Sequence, residues 1–176
     1  AIACGIYHGM YEQKDIPEAV NRLVQLIEED REHFHTGILG TKAMFTVLTE
    51  NGQAELLYRM ITNPTMPSYA YWIRQGMTTL CEHWDMTASR NHHMYSEVDF
   101  WFYKYLAGIQ IQGDEIRIKP CFLKEIKWVK CYHKEIHVSW DESRITVTVP
   151  REATLILGEK EIRLKPGTTL TERKAV

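Results

Sequence analysis

The sequence lacks the marks of several large protein classes. It has no basic surplus: 21 Lys and Arg stand against 23 Asp and Glu among 176 residues, a formal net charge of −2. Without excess cations the surface has little with which to displace the counterions condensed on a phosphate backbone, so a nucleic-acid partner is not expected. No apolar run approaches the roughly 20 residues needed to span a hydrocarbon core, so no membrane partner is expected either. No charged-then-apolar leader opens the chain. Its four cysteines, Cys4, Cys81, Cys121 and Cys131, form no C-x-x-C pair, which removes support for a zinc ribbon or a thioredoxin-like motif. A chain of this length builds a core without crosslinks, so four reduced, mostly buried thiols are expected, as in a reducing (cytoplasmic) compartment. A Gly-rich phosphate loop and a G-x-S-x-G elbow are also missing.

What is present divides into two unlike halves. Residues 1–109 hold 8 Lys and Arg against 13 Asp and Glu, whereas residues 110–176 hold 13 against 10. The hydrophobic period changes at the same place, which predicts two domains, 1–109 and 110–176. In the first, Val20, Leu23, Val24 and Ile27 fall at helical spacing, with Asp15 and Pro17 as start signals. Ala43, Met44, Val47 and Leu48 mark a second helix stopped by Asn51-Gly52. Ala54, Leu57, Tyr58 and Ile61 mark a third that ends before Pro64. Ser68 is placed to cap a short helix reaching Gly76, and Val98, Trp101, Phe102, Tyr105 and Leu106 form a last apolar face closed by Gly108. Short connections between such helices predict hairpins. The second half alternates instead. Ile116/Ile118, Ile136/Val138/Trp140, Ile145/Val147/Val149, Leu155/Leu157 and Ile162/Leu164 predict strands of a small antiparallel β-sandwich with polar outer faces and a turn at Asp141–Ser143. Ile2, Ala3, Ile6, Tyr7 and Met10 have helical spacing with no cap before them, which predicts that the chain is a fragment of a larger domain.

The stretch "TTLCEHWDMTASRNHHMYSEVDFWFYKYLAGIQ" concentrates the candidate chemistry. Glu82 stands among Leu80, Cys81 and Trp84, with Tyr69, Tyr71 and Trp72 upstream. A desolvated carboxylate has a raised pKa suited to acid–base work, although composition alone favours a surface Glu beside a core Trp. Aromatic walls beside a carboxylate also suit a sugar, whose apolar face stacks on an indole while His and Asn bond its hydroxyls. A zinc site built from His33, His35, Glu82 and His92 is the competing reading. The H-x-H and H-H spacings are not those of a zinc helix, so neither metal nor cofactor is expected.

Four ordered segments carry a family resemblance. "IPEAVNRLVQLIEED", "HFHTGILGTKAMFTVLTENGQAELLYRMI", "YAYWIRQGMTTLCEHWD" and "NHHMYSEVDFWFYKYLAGI" resemble consecutive motifs in the C-terminal part of bacterial α-L-rhamnosidases. The match is close over residues 1–109 and extends to the β half in position and character. These are inverting glycoside hydrolases built on an α/α barrel of six helical hairpins. The resemblance therefore implies a mostly α and then β fold: a partial α/α barrel followed by a β-sandwich. It places the general base on Glu82, a sugar contact on His92 beside Asn91, and pocket walls on Trp84 and Trp72. Cys81 and Tyr69 stand where the family usually has Trp.

An inverting glycosidase needs two carboxyl groups roughly 6.5–9.5 Å apart with a water between the base and the anomeric carbon. The partner acid of the family lies upstream of the matched region, so this chain is expected to be inactive alone. The implied ligand is a rhamnose-containing glycoside or oligosaccharide. The implied partner is the missing N-terminal part of the barrel, or a second copy covering the same faces. The alternative function is a non-catalytic or degenerate module that binds sugar or supports assembly.

Overall fold

The computed structural model describes residues 1–173 and divides into two compact units, Ala1–Val98 and Asp99–Val176. Within these residues the element order is helical first and then entirely β. The helices are α1 (Ile2–Tyr7), α2 (Ile16–Glu29), α3 (Ile38–Glu50), α4 (Ala54–Thr62), α5 (Tyr69–Arg74) and α6 (Glu97–Trp101), with a 3-10 turn at His93–Tyr95.

The helix signals act where the apolar spacing places them. In α2, Pro17 sits in the first turn, where its missing N–H costs nothing, and Ala19, Val20, Leu23 and Ile27 are buried along one face. The Asn51-Gly52 stop turns α3 into α4 within three residues, so the two pack as a hairpin. α1 packs on α2 and α3, and α4 on α5. These are helical hairpins of the kind from which an α/α barrel is assembled, as expected. The core of the unit is aromatic. Phe34 and Phe45 stack at 5.8 Å between ring centroids, and Tyr69 meets both edge-on at 5.6 and 6.0 Å.

In the second unit α6 passes into a π-helical turn over Phe102–Leu106, where the Ala107 N–H reaches back to the Phe102 carbonyl. Eight strands follow: β1 (Ile109–Gln112), β2 (Glu115–Ile118), β3 (Trp128–His133), β4 (Ile136–Asp141), β5 (Arg144–Val149), β6 (Ala153–Leu157), β7 (Lys160–Leu164) and β8 (Gly167–Glu172). They form two four-stranded sheets, β1-β2-β6-β7 and β3-β4-β5-β8, the β-sandwich expected from the alternation. Ile136, Val138 and Trp140 of β4 and Ile145, Val147 and Val149 of β5 are all buried. Asp141 makes the β4–β5 turn, its Oδ1 accepting from the N–H groups of Ser143 and Arg144 at 2.8 and 3.0 Å and from the Ser143 hydroxyl at 2.8 Å.

Four details differ from the sequence reading. β2 and β6 run parallel, because the chain builds the whole β3–β4–β5 meander between them and returns in the same direction. β1, β3 and β8 are further strands: β1 is a four-residue alternation directly after the helix-closing Gly108, and β3 and β8 lack an unbroken hydrophobic alternation. The outer surface is not wholly polar, since Trp128 and Tyr132 on the edge strand β3 are exposed. Of the four free cysteines only Cys81 is buried, and Cys4, Cys121 and Cys131 are half-exposed.

Candidate active site

The loop that carries the candidate residues starts where α5 stops. The Ser68 hydroxyl accepts from the Tyr71 N–H and so caps the helix, as its position predicts. Gly76, at φ +81°, ends it: the Gly76 and Met77 N–H groups reach back to the carbonyls of Ile73 and Trp72. The chain then leaves the helix and folds over residues 79–92 into a loop closed by its own polar groups. The Thr79 hydroxyl donates to the Arg90 carbonyl, the His92 N–H to Leu80 at 2.9 Å, and the Glu82 N–H to Ser89 at 2.8 Å. At the far end the Met86 N–H closes a turn on His83 at 3.0 Å, with Met86 itself at φ +61°.

This ladder places Glu82 and His92 on facing sides of one loop. The Glu82 carboxylate accepts from the Ser89 N–H at 3.3 Å, so the same pair of residues is bonded in both directions. His92 accepts at Nδ1 from the Met94 N–H at 3.3 Å, and its ring stacks on that of His93 at 5.4 Å and 6°. With Nδ1 accepting, the ring proton sits on Nε2, where it can be donated to a hydroxyl. Asn91 is exposed between them, tied to Ser89 through its backbone.

Trp84 leaves this ladder for the aromatic core. Its indole N–H donates to the Thr36 carbonyl at 2.9 Å, and its own carbonyl accepts from the Trp72 indole at 2.9 Å. Its rings lie 4.6 Å from Trp72, 5.5 Å from Phe34 and 4.4 Å from Tyr95. Trp72 is only 2% exposed, so it stands behind Trp84 and offers no face to a ligand in this unit. Trp84 also lines a groove of about 510 Å³ with His35, Thr36, Met66, His83, Asp85 and Tyr95. Glu82, Asn91 and His92 are outside that lining. Trp84 thus meets Trp72 of α5, whereas Glu82 and His92 stand on the two facing segments of the loop, outside the groove lining.

His35 lines the same groove, and His33 lies outside its lining. The turn before them places Arg31 and Glu32 at φ +58° and +59°, and Asn63 braces it by donating its side-chain amide to both carbonyls at 2.9 and 3.2 Å. His33 is engaged at both ring nitrogens, by the Asp30 carbonyl and the Thr65 hydroxyl, each at 2.8 Å. His35 Nε2 meets the Asp30 carboxylate at 2.8 Å. Among the described residues no group of three or more His, Cys, Asp and Glu is placed to hold a metal ion.

Several residues in the site were missed in the sequence. Asp85 accepts at Oδ1 from the Thr87 hydroxyl at 2.7 Å and from the Thr87 N–H at 3.1 Å, and these bonds, the hydroxyl's first, hold its carboxyl below the ordinary range. The D-x-T spacing is the local signal that could have flagged it. Ser89, Thr36 and Tyr95 carry no such signal, since their partners are distant in the chain or lie on the backbone. Burial pushes the Cys81 thiol up, against a smaller opposing effect of the Arg90 charge. Such a thiol is a packing group and not a nucleophile.

Helical hairpins followed in the chain by a β-sandwich match the architecture of a six-hairpin glycosidase domain and the β-sandwich after it. The sequence model of the bacterial alpha-L-rhamnosidase 6 hairpin glycosidase domain matches residues 1–106, and the chain belongs to that family. An alpha-L-rhamnosidase of Formosa agariphila is 31% identical over 88% of this chain and 19% of its own length. One of Streptomyces avermitilis is 39% identical over 52% of this chain and 10% of its own. The solved alpha-L-rhamnosidase of Dictyoglumus thermophilum superposes with a TM-score of 0.83 at 26% identity, covering 97% of this chain and 25% of that one. The Streptomyces avermitilis enzyme, solved with L-rhamnose, gives 0.76 at 26% identity over 86% of this chain and 19% of its own. The chain thus spans a tenth to a quarter of the length of these relatives.

Proposed function

We propose that this chain is part of an α-L-rhamnosidase that cleaves terminal α-L-rhamnosyl residues with inversion, and that Glu82 is its general base. The proposal includes the division into a barrel portion, 1–109, and a β-sandwich domain, 110–176. The observation that carries it is the closed loop 79–92, which holds the Glu82 carboxylate by one bond to the Ser89 amide. That single bond leaves the carboxylate's other oxygen to take a proton from water. His92, donating through Nε2 from the facing side of the loop, binds a sugar hydroxyl, with Asn91 beside it. Trp84 walls the site from the groove side, and Trp72 supports it from behind.

Inversion follows from a water activated on the face of the sugar opposite the leaving oxygen. Glu82 takes the proton from that water as its oxygen attacks the anomeric carbon. The leaving oxygen is protonated by an acid outside these residues, so the chain alone does not turn over. The rest of the hairpin barrel is its partner, and a second copy of the chain occupies the same faces when that part is missing. Exposed apolar side chains such as Leu39 and Ile73, 79% and 72% exposed, make that association favourable.

The test is hydrolysis of 4-nitrophenyl α-L-rhamnoside by the whole hydrolase and by this chain alone, each with a Glu82→Gln counterpart. Glu82→Gln is expected to lower kcat in the whole enzyme by about 10²–10⁴-fold, the usual contribution of a positioned base. The first-formed sugar should be the β anomer by proton NMR. Full activity of the variant, or an α product, would remove the assignment. Turnover by the chain alone that is lost in its variant would place the acid inside these residues.

A further inference from the structure

The groups that hold Glu82 are themselves held by a corner of the loop with no part in the proposed chemistry. Between Glu82 and Ser89 the chain turns back at His83–Met86, and Met86 adopts φ +61°. An L residue other than Asn, Asp or Gly enters that region at a cost and stays there only when its surroundings hold it. Asp85 supplies the hold, because its Oδ1 takes both the N–H and the hydroxyl of Thr87 at 3.1 and 2.7 Å. The returning strand then presents the Ser89 N–H to the Glu82 carboxylate at 3.3 Å and the Ser89 carbonyl to the Glu82 N–H at 2.8 Å.

We propose that Asp85 is the positioning residue of Glu82: by fixing the corner at Met86 it sets where Ser89 lies, and Ser89 sets the direction of the carboxylate. The proposal builds on Glu82 as the base, and its geometric half stands without that role. The Thr87 hydroxyl first, and then the Thr87 N–H, hold the Asp85 carboxyl below its ordinary value, which favours the ionised acceptor. Thr87 is its working partner, and an Asn at position 85 preserves the same acceptor oxygen. Asp85 also lines the groove beside Trp84, which offers a competing role as a substrate contact.

Two measurements separate these possibilities. In the first, the amide resonance of Ser89 is followed by proton–nitrogen NMR of this chain as pH falls through the carboxylate range. Its shift is expected to track ionisation of Glu82 and to vanish in Glu82→Gln. The tracking should be lost in Asp85→Ala, reduced in Thr87→Val and kept in Asp85→Asn. Thr87 is exposed, so its variant reports even if Asp85→Ala fails to fold. Unchanged tracking in Thr87→Val together with either unchanged tracking or unfolding in Asp85→Ala would overturn the proposal.

In the second, the whole hydrolase carries the same variants. Asp85→Ala is expected to lower kcat about tenfold with KM unchanged, since a misdirected base costs orientation and not binding. Asp85→Asn should recover most of the loss. A rise in KM at unchanged kcat would make Asp85 a substrate contact and defeat the positioning role. If Glu82→Gln itself leaves the enzyme active, the functional reading falls while the NMR result continues to judge the geometry alone.

Discussion

The two compact units solve the same problem of holding a polar turn in place by different means. In the β unit the turn is held by its neighbours in sequence: Asp141 accepts three bonds from Ser143 and Arg144, and the paired strands on either side keep it in register. In the helical unit the polar loop 79–92 has no sheet to lean on. It closes on itself at Glu82–Ser89 and Leu80–His92, and it is moored to the core by buried Cys81 and by Trp84, whose indole and carbonyl are bonded to positions 48 and 12 residues away. A ladder distributes its support over many equivalent bonds, whereas a moored loop depends on a few. The second arrangement suits a site that must present free polar groups, because groups engaged in a regular ladder are not available to a ligand.

The largest effect that sharpens this contrast belongs to a backbone position in the β unit. Gly108 has φ +79°, and a Cβ there would lie 2.2 Å from the carbonyl carbon of Lys119 and the nitrogen of Pro120. Backbone cannot move aside as a side chain can, and the Lys119 N–H already bonds the Gly108 carbonyl at 2.8 Å. Gly108→Ala is expected to destabilise this unit by about 4 kcal/mol or more, read by urea denaturation. A loss below about 1 kcal/mol, within the usual range for a tolerated substitution, would show that the close approach relaxes freely.

Trp84 comes next. Trp84→Ala removes a ring from the cluster with Phe34, Tyr69, Trp72 and Tyr95 and the indole N–H that bonds the Thr36 carbonyl, while the residue-84 carbonyl that accepts from Trp72 is kept. A cost of about 3 kcal/mol is expected, at the low end for Trp because the ring is half-exposed. Trp84→Phe keeps the ring contacts but loses the N–H to Thr36, so it should cost about 1 kcal/mol. Equal costs for the two variants would mean that the hydrogen bond, and not the stacking, moors the loop.

The smallest effect is a pH dependence in the β unit. Hydrogen bonds, that from the Ser143 N–H first, lower the Asp141 carboxyl from 3.8 to about 2. A folded pKa below the unfolded one means stability that is fully present above 3.8 and is lost as pH falls toward 2. Asp141→Asn should therefore flatten the acid limb of the stability profile in that window by a small amount, since the group is exposed. An unchanged limb would show that the turn bonds form equally well to the neutral acid.

Much of the fold was legible without coordinates. The α2 stripe, the Asn51-Gly52 stop, the Ser68 cap, the Gly108 closure and the strands around Ile116, Val138 and Val147 all rest on bonds or spacings between near neighbours. Residues 93–106 were harder: the 3-10 turn at His93 leaves no periodic trace, and the apolar spacing over 98–106 reads as one helix although the chain turns π-helical from Phe102. The site was legible in its residue types and its family motifs, and less so in its arrangement. The family resemblance implies aromatic walls at Trp84 first and Trp72 second, and the structure seals Trp72 in the core while Trp84 faces a groove.

The sequence by itself determined the order of helices and then strands, the turns that separate them, and membership of a six-hairpin glycosidase family over residues 1–106. Each of these depends on the backbone period, on capping chemistry or on ordered motifs, and such information is local and additive along the chain. Only the tertiary structure decided that β2 pairs parallel with β6, that Cys81 is the one sealed thiol, and that Ser89 meets Glu82. Those outcomes depend on which distant or looped-back segments share a volume. The number of ways to bring segments together grows with chain length, and only close packing of the whole selects one of them.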